Sequence, residues 1–197
     1  MKILLICGLF FSHLVFAKTI VIVGDSLTEG FGVKTEEAYP AQLEQMFHAN
    51  GRKDIKVING GISGSTTANA TSRTKWYLKM KPEVILFALG ANDGLRGLAI
   101  EESEKNLSEA IKLAQSHSVK VFLAVMKLPK NYGEDYRTRF EKMYENLLRQ
   151  KNVGKVNFLL EGVGGVASLN LADGIHPNPE GQKKVAENIF LSLKDQL

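Results

Sequence analysis

The chain has 197 residues, of which 44% are hydrophobic and 23% are charged, and this composition is typical of a globular protein long enough for one domain. Its 25 basic and 21 acidic residues give a net charge of +4. The basic pairs Arg52-Lys53 and Lys183-Lys184 lie beside acids and lack interleaved aromatic residues, which indicates a solvated surface. We therefore expect no nucleic acid partner.

The first predicted element is a signal peptide over residues 1–17. Lys2 precedes an apolar run from Ile3 to Leu14, and Ala17 puts a small residue at the expected cleavage point. The run is shorter than the roughly 20 apolar residues of a membrane span, so we expect no membrane anchor after cleavage. The sequence thus predicts an exported protein, periplasmic or secreted, whose residues 18–197 form a single domain.

Thiol chemistry is excluded from the predicted mature chain, and a metal-free mechanism is favoured. Cys7 is the only cysteine and would leave with the signal peptide, so disulfides, thiolate metal sites and a cysteine nucleophile are ruled out. No cluster of histidines or carboxylates has metal-ligand spacing, and we expect neither a metal nor a cofactor. The segment from Gly162 to Ala167 fits the fingerprint G-x-G-x-x-A, but no strand ending in an acid follows it. We interpret its glycines as an open wall beside a site.

Short β-branched runs alternate with amphipathic segments along the rest of the chain, and each run is interpreted as a strand buried on both faces. The predicted strands are Thr19 to Val23, Lys56 to Ile58, Val84 to Leu89, Val119 to Met126 and Val156 to Leu160. Apolar residues at helical spacing predict helices around 102–116 and 140–147, and a last helix begins near Pro179. This alternation predicts a three-layer α/β/α sandwich with a five-stranded parallel sheet. Ligands bind such sheets at the edge where the strands end.

One of the three histidines after residue 17 has the surroundings of a general base. His48 lies in an amphipathic helix and His117 at a helix end, where structural roles are favoured. His176 lies in the non-helical segment Asp173-Gly174-Ile175-His176-Pro177, and Asp173 can reach its Nδ1 atom and fix the tautomer. The alternative is a simple turn that leads into the last helix.

Ser26 is the predicted nucleophile, because it directly follows the first strand and can give its proton to His176. A plain N-cap, made by Asp25 or Ser26, is the alternative. Gly64 and Asn92 follow the next two strands and could join the Ser26 N–H as donors to the oxyanion of a tetrahedral intermediate. A turn glycine and an Asx-turn are the alternatives for Gly64 and Asn92.

Four segments at the strand ends resemble, in the same order, the sequence blocks of the SGNH, or GDSL, hydrolases. GANDGLRG at 90–97, LPKNYG at 128–133 and DGIHPN at 173–178 are similar to the branch of periplasmic acyl-CoA thioesterase I, lysophospholipase and arylesterase. The resemblance covers nearly all of residues 18–197 and implies a flavodoxin-like fold. It implies a catalytic triad of Ser26, Asp173 and His176. It also implies an oxyanion hole formed by Ser26, Gly64 and Asn92. Ser65, where relatives often have an acid, and Ala91, where glycine is frequent, depart from the pattern.

The predicted function is hydrolysis of small-molecule acyl esters and thioesters through an acyl-enzyme on Ser26. Leu128, Pro129 and Tyr132 are expected to border a groove for the acyl chain, in a monomer without a cofactor. Asp25 is expected to order the surrounding loops. Two alternatives remain: deacetylation of carbohydrates on the same triad, and a non-catalytic flavodoxin-like domain that binds a lipid or nucleotide.

Overall fold

The computed structural model describes residues 18–197, and the predicted signal peptide lies outside the described residues. The strands are β1 (Lys18–Gly24), β2 (Ile55–Gly61), β3 (Val84–Ala88), β4 (Lys120–Val125) and β5 (Val153–Phe158). The α-helices are α1 (Ser26–Glu29), α2 (Tyr39–Ala49), α3 (Ala70–Leu78), α4 (Ala91–Leu95), α5 (Ile100–Ser116), α6 (Glu134–Leu148) and α7 (Pro179–Leu193). Between residues 18 and 197, no helix is long and apolar enough to cross a membrane.

All five strands form one parallel sheet in the order β2-β1-β3-β4-β5. Right-handed crossovers in opposite directions put their helices on opposite faces of a sheet. Accordingly, α2 packs against α7 in one layer, and α5 packs against α3 and α6 in the other. The three-layer sandwich with a five-stranded parallel sheet is confirmed.

Burial differs between the central and the edge strands. Every residue of β3 is buried, as are the last five of β1 and the middle of β4. The prediction of burial on both faces is wrong for β2 and β5, which lie at the two edges and expose several side chains. An edge strand has a neighbour on one side only, so its sequence need not be continuously apolar.

The last strand begins earlier than predicted. The sequence predicted Val156 to Leu160, whereas β5 begins at Val153 and ends at Phe158. Gly154 pairs with Phe122 of β4, and a β-carbon at position 154 would lie 2.4 Å from the Phe122 ring. A glycine without β propensity therefore belongs to the strand because it makes room for the neighbouring aromatic side chain.

The direction of the strand order reverses beside β1. From β1 the chain goes to β2 on one side, and β3, β4 and β5 follow on the other. Ligand sites of open α/β sheets lie at such a switch point, outside the carboxyl ends of the strands. The helices that begin at this point are α1, whose first residue is Ser26, and α4, whose second residue is Asn92.

Candidate active site

The three residues of the predicted triad meet at the carboxyl edge of the sheet. Ser26 begins α1, and Asp173 and His176 lie in the loop between β5 and α7. The His176 Nε2 atom lies 2.9 Å from the Ser26 Oγ atom, and its Nδ1 atom lies 2.7 Å from Asp173 Oδ2. Both are hydrogen-bond distances, so a hydroxyl, an imidazole and a carboxylate are aligned in one chain of contacts.

A tight turn between β1 and α1 presents the Ser26 hydroxyl. Asp25 is the N-cap of α1, since its Oδ1 accepts a hydrogen bond from the Leu27 N–H at 3.0 Å. The alternative that Ser26 itself caps the helix is therefore wrong, and its hydroxyl is left to contact His176. Gly30, at φ 85°, ends the helix after one turn.

The loop that carries His176 is shaped by the carboxylate of Asp173. Its Oδ1 accepts hydrogen bonds from the backbone N–H groups of Ile175, at 2.9 Å, and His176, at 3.0 Å. The backbone and ring hydrogen bonds from His176, followed by that from Ile175, lower the pKa of Asp173 to about 2. The carboxylate is thus ionised at neutral pH and orients the imidazole with Nδ1–H toward itself.

Two backbone donors face the cleft beside Ser26. Among residues 18–197, the N–H groups of Ser26 and Gly64 donate to no other protein group. Gly64 has φ +74°, in the left-handed region that favours glycine, and Asn92 also lines this cleft. The three predicted oxyanion donors are therefore brought together around one cavity.

Asp25 is a buried carboxylate directly behind the nucleophile position. It is 1% exposed, and burial raises its pKa to about 6, although the Leu27 N–H, the charge of His176 and the Asn92 amide oppose the increase. Its Oδ2 accepts a hydrogen bond from Asn92 Nδ2 at 3.3 Å. Asp25 thereby orders the segment that carries Asn92, as expected from the sequence.

The loop after β2 is held by contacts with α4 and its neighbours. Arg96 donates a hydrogen bond to the Gly64 carbonyl at 3.2 Å, and buried Asp93 accepts hydrogen bonds from the N–H and hydroxyl of Thr67. Ser65 Oγ is buried and has no hydrogen-bond partner within residues 18–197. The hydroxyl of Ser65 thus takes no part in holding the loop.

A cleft of about 1030 Å³ extends from the triad across the sheet edge. Leu128, Pro129 and Tyr132, predicted to border the acyl groove, all line it. Gly164 and Gly165 also line it, and the residues after them form a single 3-10 turn, Ala167–Leu169. Gly164 and Gly165 thus form part of the wall beside the site, whereas Gly162 does not line the cleft. Between β5 and α7 no α-helix opens, as a dinucleotide site would require.

The remaining histidines have structural contacts. His48 Nε2 lies 2.8 Å from the Ile55 carbonyl, and His117 Nδ1 lies 3.0 Å from the Leu113 carbonyl. Over residues 18–197, no group of three or more histidine, cysteine, aspartate or glutamate residues is arranged to hold a metal ion.

Three residues of the site were not found from the sequence. The ring of Phe31, half exposed, lies with its centroid 4.6 Å from that of His176. Asp93 and Arg73 are buried behind the cleft. Phe31 could have been found from the sequence, because it directly follows the GDSLTEG segment that carries the predicted nucleophile. Arg73 and Asp93 are polar, and no periodic pattern of the sequence predicted that they would be buried.

Comparisons with known proteins find a matching family model, similar sequences and similar structures. A model of the GDSL-like lipase/acylhydrolase family matches residues 22–184. The esterase TesA of Pseudomonas aeruginosa is 37% identical over 182 residues, which are 92% of this chain and 90% of the relative. The thioesterase 1/protease 1/lysophospholipase L1 of Escherichia coli K12 is 32% identical, with 87% of this chain and 81% of the relative covered. A crystal structure of TesA superposes with a TM-score of 0.87 at 36% identity, over 91% of this chain and all of the other.

Proposed function

This chain belongs to the GDSL-like lipase/acylhydrolase family, and from that membership we propose that it hydrolyses carboxylic esters and thioesters with Ser26 as nucleophile. One observation carries the assignment: the continuous contact from Ser26 Oγ through the His176 ring to the Asp173 carboxylate, at 2.9 and 2.7 Å. Such a contact is what a weak hydroxyl nucleophile needs to be activated at neutral pH.

The first chemical step forms the acyl-enzyme. Ser26 Oγ bonds to the acyl carbonyl carbon while its proton passes to His176 Nε2. The carbonyl oxygen becomes an oxyanion that the N–H groups of Ser26 and Gly64 and the amide of Asn92 stabilise. The bond to the leaving alcohol or thiol then breaks, and the leaving group takes the proton from His176.

The second step returns the free enzyme. Water gives a proton to His176 Nε2 as its oxygen attacks the acyl carbon, and the carbon–Ser26 Oγ bond breaks with return of the proton to Oγ. Asp173 stays ionised throughout, keeps the imidazole in one tautomer and stabilises the imidazolium that forms twice in the cycle. The reaction uses no cofactor.

The proposed substrates are acyl esters with an apolar acyl chain, among them lysophospholipids, aryl esters and acyl-CoA-type thioesters. Relatives named esterase and thioesterase/lysophospholipase support this range. The apolar part of the cleft lined by Leu128, Pro129 and Tyr132 supports an acyl chain longer than acetyl. A carbohydrate acetylesterase would instead prefer acetyl over octanoyl esters, so kinetics on that pair of substrates separates the two activities.

The place of action follows from the predicted leader. We propose that residues 18–197 form one catalytic domain that is exported, to the periplasm or beyond, and works as a monomer without a membrane anchor. Cell fractionation and N-terminal sequencing of the mature protein test this, with Lys18 as the expected first residue.

A fluorophosphonate probe tests the nucleophile. The wild-type protein should be labelled on Ser26, and Ser26→Ala should lose both labelling and ester hydrolysis, by a factor of about 10⁶ in kcat. Ser63→Ala is the matched control, because Ser63 lines the same cleft but bonds to Glu29, and it should keep both. Labelling that persists in Ser26→Ala would refute Ser26 as the nucleophile, and a folded wild-type protein that is neither labelled nor active would support the non-catalytic binding domain instead.

A further inference from the structure

The inner face of α3 carries a buried cation below the active site. Arg73 is 8% exposed and lies between helix α3 and the carboxyl ends of β1 and β2. One terminal nitrogen of its guanidinium donates to the Gly24 carbonyl at 2.9 Å, and the other donates to the Gly60 carbonyl. The planar fork of an arginine thus fastens two neighbouring strands at their ends.

The two carbonyls lie just before the two backbone donors of the cleft. Gly24 is two residues before Ser26, Gly60 is four residues before Gly64, and Gly24 pairs with Gly61 across the sheet. Beyond these points the strands have ended, and the chain continues as the α1 turn and the loop at 62–66. The distance between the N–H groups of Ser26 and Gly64 therefore depends on how the strand ends are held together.

A buried charge at this place has no ion-pair partner among residues 18–197. No carboxylate lies within salt-bridge distance of Arg73, and burial lowers its pKa, an effect that Tyr77 and then Asp25 oppose. A buried charge without a partner is unfavourable, and an apolar side chain of similar volume would fill the same space without this penalty. The cation is therefore unexplained by packing alone.

We propose that Arg73 is a positioning residue for ester hydrolysis, which sets the spacing of the Ser26 and Gly64 oxyanion donors by bridging the Gly24 and Gly60 carbonyls. This inference rests on the proposed function, because it takes those two N–H groups as the oxyanion hole. Arg73 does not line the cleft, so it acts on the transition state through the backbone and leaves binding of the acyl chain unchanged.

The test compares steady-state kinetics of three variants on a p-nitrophenyl ester. In Arg73→Met both hydrogen bonds and the charge are lost, and kcat should fall by about 10²-fold, the scale of a small displacement of catalytic groups, with KM within about twofold. In Arg73→Lys the charge stays but one ammonium replaces the fork, so kcat should lie between those of Arg73→Met and wild type.

Thr74→Val is the matched control. Thr74 is the next residue and is fully buried, and its hydroxyl donates a hydrogen bond to the Ala70 carbonyl of its own helix. It should change the melting temperature but neither kcat nor KM.

Several outcomes would overturn the proposal. Wild-type kcat in a folded Arg73→Met or Arg73→Lys would do so, and so would a loss confined to KM. If Arg73→Met does not fold, Arg73→Lys decides; if neither folds while Thr74→Val does, Arg73 serves the stability of the sheet only. Ser26→Ala measured in parallel keeps the two proposals apart, because its full activity would refute the nucleophile assignment, whereas its inactivity beside an active Arg73→Met would refute only the role of Arg73.

Discussion

Asp25 is the residue of this site whose carboxylate is buried and whose pKa is raised by that burial. Its ordinary pKa of 3.8 is raised to about 6 because burial disfavours the charged form more than the Leu27 N–H and the charge of His176 favour it. The pKa of Asp173, the triad carboxylate, is shifted the opposite way because its carboxylate accepts hydrogen bonds from the His176 backbone, the His176 ring and the Ile175 backbone. The pKa values of two carboxylates within one site are thus shifted in opposite directions.

Asp25→Asn should stabilise the protein at neutral pH and have little effect at pH 4. The pKa of Asp25 in the folded protein is above its unfolded value, so the contribution of Asp25 to stability is greatest below pH 3.8 and is lost as the pH rises through about 6. The difference between these pKa values corresponds to at most about 3 kcal/mol. Asparagine cannot ionise and still offers an oxygen to the Leu27 N–H. Urea unfolding at pH 4 to 8 measures the expected divergence of the two curves.

Asp54→Asn serves as the control for this pH series. Arg52 bonds to the Asp54 carboxylate and lowers its pKa, so here wild type loses stability as the pH falls below the ordinary value. Both variants should therefore differ from wild type at neutral pH and approach it at low pH, but in opposite directions: Asp25→Asn should be more stable than wild type and Asp54→Asn less stable. Parallel curves of stability against pH for wild type and Asp25→Asn would contradict the prediction that ionisation of Asp25 destabilises the folded protein.

Residues of the site differ in how far the sequence could predict them. Ser26, Asn92 and His176 follow strands or lie in loops with distinctive neighbours, and parallel strands bring such positions to one edge. Arg73 could not be predicted, because an arginine in a polar helix is typically solvated, and only the structure shows that its helix turns this side inward. The roles of the predicted residues stay predictions until the variants are measured.

At the scale of elements, the position of Ser26 depends on direct contact between α1 and β2. The helix lies so close to the strand that a β-carbon at Gly61 would be 2.0 Å from the Glu29 nitrogen and 2.6 Å from the Thr28 carbonyl carbon. Both atoms belong to the backbone, so no side chain can move aside. Glycine at position 61 is therefore a requirement of packing and not of turn formation.

Gly61→Ala should both destabilise the protein and reduce its activity. Overpacking of this kind costs about 1–3 kcal/mol, and relief requires a shift of the helix that carries Ser26. Gly164→Ala is the control, because its nearest neighbour would be the Leu160 β-carbon at an ordinary 3.5 Å, and its stability should stay within about 0.5 kcal/mol of wild type. Thermal unfolding and kcat are the measurements, and an unchanged melting temperature for Gly61→Ala would contradict the close packing.

The elements themselves were predictable where their buried faces are apolar. β1, β3 and β4 were found because central parallel strands are continuous runs of apolar residues, and α5 because leucine and alanine recur along one side. Helix α3 gave no such pattern, since two of its three buried residues, Arg73 and Thr74, are polar. The periodicity of apolar residues therefore predicts helices that bury an apolar face. It does not predict a helix such as α3, whose buried face donates hydrogen bonds to the ends of strands.

At the scale of the whole molecule, the cleft is assembled from distant parts of one chain. Ser26 and His176 are 150 positions apart, and the opposite wall comes from the segment between β4 and α6. The parallel sheet predicted from the sequence already implied the meeting of these segments, because all of them leave the sheet at its carboxyl edge. Length and shape of the cleft were not predictable, since they depend on side-chain packing in the segment around Leu128 and Tyr132.

Tyr132→Ser should lower the preference for long over short acyl chains. The half-buried Tyr132 ring lines the cleft, and a fully buried methylene adds about 0.8 kcal/mol, or roughly fourfold in kcat/KM, to an apolar contact. Without the ring, methylenes that contact it lose this gain, so the ratio of kcat/KM for octanoyl to butyryl esters should fall severalfold. Tyr132→Phe is the matched control: it removes the hydrogen bond to the Leu95 carbonyl but keeps the ring, and its profile should match wild type. If Tyr132→Ser and wild type have the same profile across acyl lengths, the acyl chain lies elsewhere in the cleft.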